Sequence, residues 1–310
     1  MNYVSLPVIN YQTLHHSQTL RALDCACRSW GAFVLAGHPL EKTHNEGLFR
    51  EALDFFSRPA DFKQTVSRSA SNPCGYFDAE LTRNTRDQKE IYDFSPAEMR
   101  GKAAPWPEAM DAFRAVVKQH YYACESVALA LVSAICENLG TPISGVREHF
   151  QPRHTSFLRL NYYPRTPPSR VANNVVPMGV HPHTDAGILT LLVQDAQPGL
   201  EVHRDGAWHR VRGGSLVVNI GDVLQVWSND RYRAPLHRVT ASTCSERFSA
   251  PFFFNPSFES SYSPLASTVD GDHPPAYRPI NWGLFRSLRA AGDYADLGEE
   301  VQIAQYKVKE

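Results

Sequence analysis

In the stretch GVHPHTDAG, from Gly179 to Gly187, two histidines stand two residues apart and an aspartate follows two further on. On an extended strand alternate side chains share a face, so a strand here could point His181, His183 and Asp185 the same way. Imidazole and carboxylate are metal ligands, and the period of two does not choose between the histidines. Downstream, His237 lies in the strand-like run APLHRV, behind a Gly-Asp turn and the apolar VLQVW. Two histidines and one carboxylate form a facial triad that suits Fe(II) and leaves coordination positions open on one side. The competing reading is ordinary: the chain has 13 histidines, and most histidines sit at the surface or hydrogen-bonded in a core.

The neighbouring sequence shifts that balance. Ten residues after His237 comes RFS, with Arg247 and Ser249 again at i, i+2 on one strand face. A guanidinium facing inward from a strand as apolar as RFSAPFFF is costly unless it meets an anion, and its planar fork fits a carboxylate. A dicarboxylate that also chelates the iron would satisfy it. Aromatic side chains supply much of the surface of small-molecule sites, which makes Tyr76, Phe77, Phe252 and Phe254 candidates for the substrate pocket, against core packing. Arg83 and Arg86 are alternative anchors for an anionic substrate, and a Lys89–Glu90 ion pair is a candidate clamp on a site loop.

These residues need elements to hold them. LPVINY reads as a short strand, and the helical pattern from about Thr19 stops at Gly31 and feeds another strand, a βαβ-like opening. Leu48, Phe49, Ala52, Leu53 and Phe56 make one helical face ending before Pro59. The longest helical pattern runs from Pro107 to Gly140, with Val116, Val117, Tyr121, Cys124, Val127, Leu131 and Ile135 near one stripe. From HTSFLRLNYYP onward short apolar runs alternate with Gly, Pro, Asn and Asp, SLVVNIGDVLQVWSN among them. Trp208 and Trp227 fall in such strand runs. Regular short strands describe a β-sandwich or barrel. PRTPPSRVANNVVP reads as an exposed loop between strands. We expect one structural unit with three parts: an N-terminal α/β region over 1–150 packed on the core, a β core over 151–260, and a C-terminal helical tail over 261–310.

Lysine plus arginine number 31 against 32 acidic residues, so no strong field attracts nucleic acid or an anionic membrane. A hydrophobic fraction of 43% with 20% charged residues suits a globule with a substantial core. The six cysteines show no CxxC pairing, and neither a leader-like N-terminus nor an 18-residue apolar run stands out. The expectation is a cytoplasmic protein with reduced thiols, monomeric or weakly dimeric, taking a small-molecule substrate.

HTDAGILTLLVQD, HRV and RFS, together with NYYP at Asn161–Pro164, resemble the iron and 2-oxoglutarate-dependent oxygenases of the isopenicillin N synthase-like family. LPVINY, SWGAFVLAGHPL and CGYFDAELTRNTRDQKEIYDF are similar to that family's N-terminal region, so the likeness spans most of the chain. It implies a double-stranded β-helix, or jelly roll, with helices packed on one side. It makes His183 and Asp185 the HxD ligands and His237 the distal ligand, and gives Arg247 and Ser249, assisted by Tyr163 and Asn161, to the far carboxylate of 2-oxoglutarate. The activity implied is O2-dependent oxidation of a C–H bond with release of succinate and CO2, by hydroxylation, desaturation or ring closure, with ascorbate as a candidate reductant. Some relatives are oxidases that use no 2-oxoglutarate, and a catalytically silent binder is the remaining alternative. The chain departs from the family pattern at His38-Pro39, where His-Gly is usual, and at His181, which puts an extra imidazole near the iron and makes His181 a further candidate for substrate contact.

Overall fold

The computed structural model describes residues 3–40, 42–69, 71–96, 103–167, 177–292, 298 and 300–308. Its strands in chain order are β1 (Tyr3–Val4), β2 (Val8–Asn10), β3 (Ala32–Ala36), β4 (Gly75–Phe77), β5 (Leu81–Thr82), β6 (Thr85–Arg86), β7 (Glu90–Phe94), β8 (Phe157–Tyr163) and β9 (Met178–His183). Then follow β10 (Leu189–Gln194), β11 (Leu200–Arg204), β12 (Ala207–Val211), β13 (Leu216–Ile220), β14 (His237–Thr240), β15 (Arg247–Phe254), β16 (Ser261–Tyr262) and β17 (Ile280–Asn281). Two sheets carry the fold: a five-stranded one in the order β1-β12-β11-β14-β9 and an eight-stranded one in the order β2-β3-β13-β10-β15-β8-β7-β4. Neighbouring core strands are antiparallel. This is the jelly-roll arrangement.

Local sequence accounts for the elements around it. The helix Ser17–Ser29 ends where Gly31 takes a positive φ of 64°, a conformation glycine adopts without penalty, and the chain turns into β3. β2 and β3 pair in parallel, as the βαβ-like opening requires. The long helix, Asp111–Asn138, buries Val117, Tyr121, Cys124, Val127, Leu131 and Ile135. It lies against the outer face of the larger sheet, where Tyr121 meets Phe252 edge-to-face at 5.1 Å between ring centroids. In the helix Lys42–Phe56 the buried stripe is Leu48, Ala52, Phe55 and Phe56, whereas Leu53 faces solvent.

One expectation changes. The run SLVVNIGDVLQVWSN is not one strand: β13 ends at Ile220 and Asp222–Trp227 is helical, with Trp227 wholly buried in it. Strands of the N-terminal region join both sheets: β1 extends the smaller one, and β2, β3, β4 and β7 extend the larger. The C-terminal helix Trp282–Gly292 reaches the space between the sheets. Residues 168–176 of the expected PRTPPSRVANNVVP loop lie outside the described residues.

Candidate active site

The two sheets enclose a cavity of about 150 Å³ whose wall includes His183, Asp185, His237, Asn161, Tyr163, Arg247 and Ser249. His183 closes β9 and His237 opens β14, and the two residues are direct partners across that antiparallel pair. Asp185 lies just beyond the end of β9. Nε2 of His183 is 3.8 Å and Nε2 of His237 is 3.7 Å from Oδ1 of Asp185. One ligand atom from each residue lies within 4.8 Å of the others, so all three can converge on one ion.

Hydrogen bonds set the tautomers of the two histidines. Nδ1 of His183 donates to the His181 carbonyl at 2.8 Å, and Nδ1 of His237 donates to the Pro235 carbonyl at 3.0 Å. Each bond places the ring proton on Nδ1 and leaves the Nε2 lone pair facing the cavity, as metal coordination needs. Burial, and next the adjacent His237, hold the His183 imidazole well below its ordinary pKa and so favour the neutral ring. Burial alone would raise the Asp185 carboxyl, but the two imidazoles and hydrogen bonds from Thr190 and Asn219 outweigh it and lower it. Neutral imidazoles beside a carboxylate are the forms that bind Fe(II).

Across the cavity the register of β8 and β15 pairs Arg247 with Tyr163 and Ser249 with Asn161, making NYYP and RFS cross-strand neighbours. Arg247 is 2% exposed, stacks over the Tyr163 ring at 4.9 Å and gives Nη2 to Gln194 Oε1 at 2.9 Å. Its Nε and Nη1 have no partner, and no carboxylate among the described residues pairs with it. Asn161 donates to Ser249 Oγ at 3.3 Å, and Ser249 in turn approaches the Tyr163 hydroxyl at 3.5 Å. A Cβ on Gly199 would stand 3.0 Å from Arg247 Cδ, so glycine is what lets the arginine lie flat there. A buried guanidinium with free donors beside two hydroxyls could accept a carboxylate.

The aromatic candidates fall elsewhere. Tyr76 is 2% exposed, packs on Phe55 and donates its hydroxyl to Glu90 at 2.8 Å. Phe77 lies under the Arg68 guanidinium at 4.0 Å and is not part of the cavity wall. Phe252 and Phe254 belong to the core on the helix side of the sheet, and Pro251 and Phe253 line the cavity in their place. The period of two that sends Arg247 and Ser249 inward also sends Pro251 and Phe253 inward, a signal present in the sequence. Arg83 and Arg86 are exposed on the β5–β6 hairpin, outside the cavity wall.

Lys89 and Glu90 do not pair with each other. Glu90 binds Lys63 at 2.5 Å, while Lys89 turns to the cavity and meets Glu80 at 2.7 Å and Asp87 at 3.1 Å. Burial would lower the Lys89 ammonium, yet Glu80 and Asp87 raise it, so it stays charged. Arg159 joins Glu80 at 2.8 Å and Asp93 at 2.7 Å, extending a buried ionic wall along the cavity. From the C-terminal helix, Trp282, Arg286 and Arg289 complete the lining, with Glu300 beyond it. Arg289 donates to the Thr184 carbonyl at 3.0 Å, between His183 and Asp185 in the chain. His181 turns from the cavity and bonds Asp87 through Nδ1 at 2.9 Å. Gln194 and Asn219, which hold Arg247 and Asp185, were discoverable as lone polar residues in the apolar runs LLVQD and LVVNI.

Comparison with known proteins agrees with this geometry. The sequence model described as the 2OG-Fe(II) oxygenase superfamily matches residues 154–256, and that of a non-haem dioxygenase N-terminal region in morphine synthesis matches residues 6–112. Oxoglutarate-dependent flavonoid 7-O-demethylase 1 of Ocimum basilicum is 30% identical, over 94% of this chain and 81% of its own length. Gibberellin 20 oxidase 1 of Oryza sativa subsp. japonica is 32% identical, over 86% of this chain and 75% of its own. The crystal structure of JOX2 in complex with 2OG, Fe and JA superposes with a TM-score of 0.86 at 26% identity, covering 99% of this chain and 90% of that one.

Proposed function

This chain belongs to the 2OG-Fe(II) oxygenase superfamily, and from that premise we propose which of its residues carry the reaction. The protein is a non-haem iron, 2-oxoglutarate-dependent dioxygenase that oxidises a small molecule. His183, Asp185 and His237 hold Fe(II). Arg247 and Ser249, with Tyr163 and Asn161, hold the C5 carboxylate of 2-oxoglutarate, and the cosubstrate leaves as succinate and CO2. When bound, the iron with 2-oxoglutarate and O2 supplies an oxidant strong enough for an unactivated C–H bond.

The chain's own residues do the positioning. The Nδ1 bonds to His181 and Pro235 aim both Nε2 atoms at one point before metal arrives. Arg247 fixes the cosubstrate at its far end, so that rotation about that anchor is the remaining freedom. The walls of Val180, Val239, Phe157, Phe253 and Trp282 exclude water from the reacting space. All six cysteines are free thiols, which supports a reducing, cytoplasmic setting. Among the described residues no helix is long and apolar enough to cross a membrane. A monomer or weak homodimer is the assembly we propose.

The observation that carries the reading is the buried, carboxylate-free Arg247 on the cavity wall that also holds the triad. Stoichiometry tests it: one succinate should form for each oxidised product. Full product formation without 2-oxoglutarate would instead give Arg247 to a carboxylate of the substrate itself and overturn the cosubstrate assignment.

A further inference from the structure

Asp87 is shielded from solvent although it stands at the edge of the cavity wall, and both of its carboxylate oxygens are met by donors, with Lys89 lying between it and the Glu80 carboxylate. Its Oδ1 accepts the backbone N–H of His181 at 3.1 Å and the ring Nδ1–H of the same residue at 2.9 Å. Its Oδ2 accepts the Thr82 hydroxyl at 2.7 Å and lies 3.1 Å from the Lys89 ammonium. The next residue, Gln88, gives its N–H to the Met178 carbonyl at 3.0 Å, stitching the same loop to the start of β9. Thr82 and Lys89 line the cavity, whereas His181 does not.

The geometry points to Asp87 as a positioning residue that fixes His183 for the metal, acting through the backbone of His181. The chain of contacts is short. The carbonyl that receives Nδ1–H of His183 belongs to His181, and the N–H and ring of His181 are both anchored on one Asp87 oxygen. The other oxygen is tied to Thr82 and Lys89, so the direction of the His183 ring is referred to the cavity wall and not to a free strand end. His181 then serves as the handle by which the carboxylate grips β9, which explains an imidazole so close to the triad and outside it.

This inference rests on His183 being an iron ligand, and the experiment separates the two. Asp87→Asn keeps the shape but cannot keep the bonds: whichever way the amide turns, its NH2 faces either the His181 donors or the Lys89 ammonium. Outer partners of metal-bound histidines typically change metal affinity by about 10–100-fold. Anaerobic Fe(II) titration of the metal-free full-length protein should therefore show a loss of about tenfold or more in Asp87→Asn, with an altered visible spectrum when Co(II) is the probe. His181→Ala, which retains the backbone N–H, should lose about threefold at most. Fe(II) affinity in Asp87→Asn within about threefold of wild type, with an unchanged Co(II) spectrum, overturns the inference while the ligand set stands. Undiminished binding in His183→Ala overturns the ligand set itself. If Asp87→Asn does not fold, Thr82→Val removes a single bond to Oδ2 and carries the test: a shifted Co(II) spectrum with about threefold weaker Fe(II) binding is expected, and wild-type values for both refute it.

Discussion

Replacing Arg247 by methionine should separate two effects that pull in opposite directions. In the metal-free protein the guanidinium is buried, 2% exposed, with Nε and Nη1 unpartnered and only Gln194 within hydrogen-bond reach of Nη2. A buried charge without its counter-ion burdens the fold, and apolar replacement of buried ionic groups is often neutral or stabilising by about 1–4 kcal/mol. The melting temperature of Arg247→Met without ligands should therefore equal or exceed that of wild type. Toward 2-oxoglutarate the same change removes a fork of charge-assisted bonds, a truncation worth about 2–5 kcal/mol, or roughly 30- to 4,000-fold in affinity. Ligand at 100 times the wild-type Kd should stabilise wild type by about 2.7 kcal/mol and the variant by no more than about 0.9 kcal/mol at that concentration. Thermal unfolding with and without 2-oxoglutarate, beside anaerobic titration of the Fe(II)-loaded protein, reads both effects. A variant that binds 2-oxoglutarate within threefold of wild type, or that melts far lower when empty, would refute the reasoning.

Three further outcomes follow from the same geometry. Gly199→Ala pushes a methyl group to 3.0 Å from Arg247 Cδ and should raise the KM for 2-oxoglutarate several-fold while leaving Fe(II) affinity unchanged; steady-state kinetics at saturating iron check it. Phe252→Ala should cost about 3–5 kcal/mol of stability in denaturant titration because that ring fills the helix–sheet core, whereas Phe253→Ala should cost less and alter substrate KM instead. Burial pushes the Asp222 carboxyl up to about 6 despite Arg289 and Thr184. The folded metal-free protein then holds a proton that the unfolded chain, near the ordinary aspartate value of about 3.9, releases. Stability should fall as pH rises through that window. Asp222→Asn should remove this fall and gain about 1–3 kcal/mol at pH 7, and parallel melting profiles from pH 4 to 7 would contradict it.

Much of the site was legible because strand periodicity is short and strict. His183, Asp185, Arg247 and Ser249 each sit at i, i+2 spacings, and the structure turns each pair to the same cavity. The aromatic candidates failed on that same rule, since Phe252 and Phe254 are out of phase with Arg247 and Phe253 is in phase. VLQVW was misread because a short apolar run looks alike as a buried strand and as a buried helical turn; only Gly221-Asp222 before it hints at a helix start. The ionic wall of Glu80, Lys89 and Arg159 was beyond sequence reasoning: its members lie on different elements, and pairing across β7 and β8 brings Asp93 to Arg159. The contribution of Arg289 and Glu300 was hidden for the same reason, being fixed by where the C-terminal helix docks.

The pairing of β3 with β13 sets a timetable for making this enzyme. β3 ends at Ala36 and its partner begins at Leu216, so at ordinary synthesis speeds the partner follows roughly 9–36 s later. Until then one edge of β3 has no strand partner, and the cavity lacks Trp282 and Arg289 until the helix Trp282–Gly292 has been made. A ribosome paused before residue 216 would hold a chain still without His237, so the proposed iron ligands can come together only after β14 has been made.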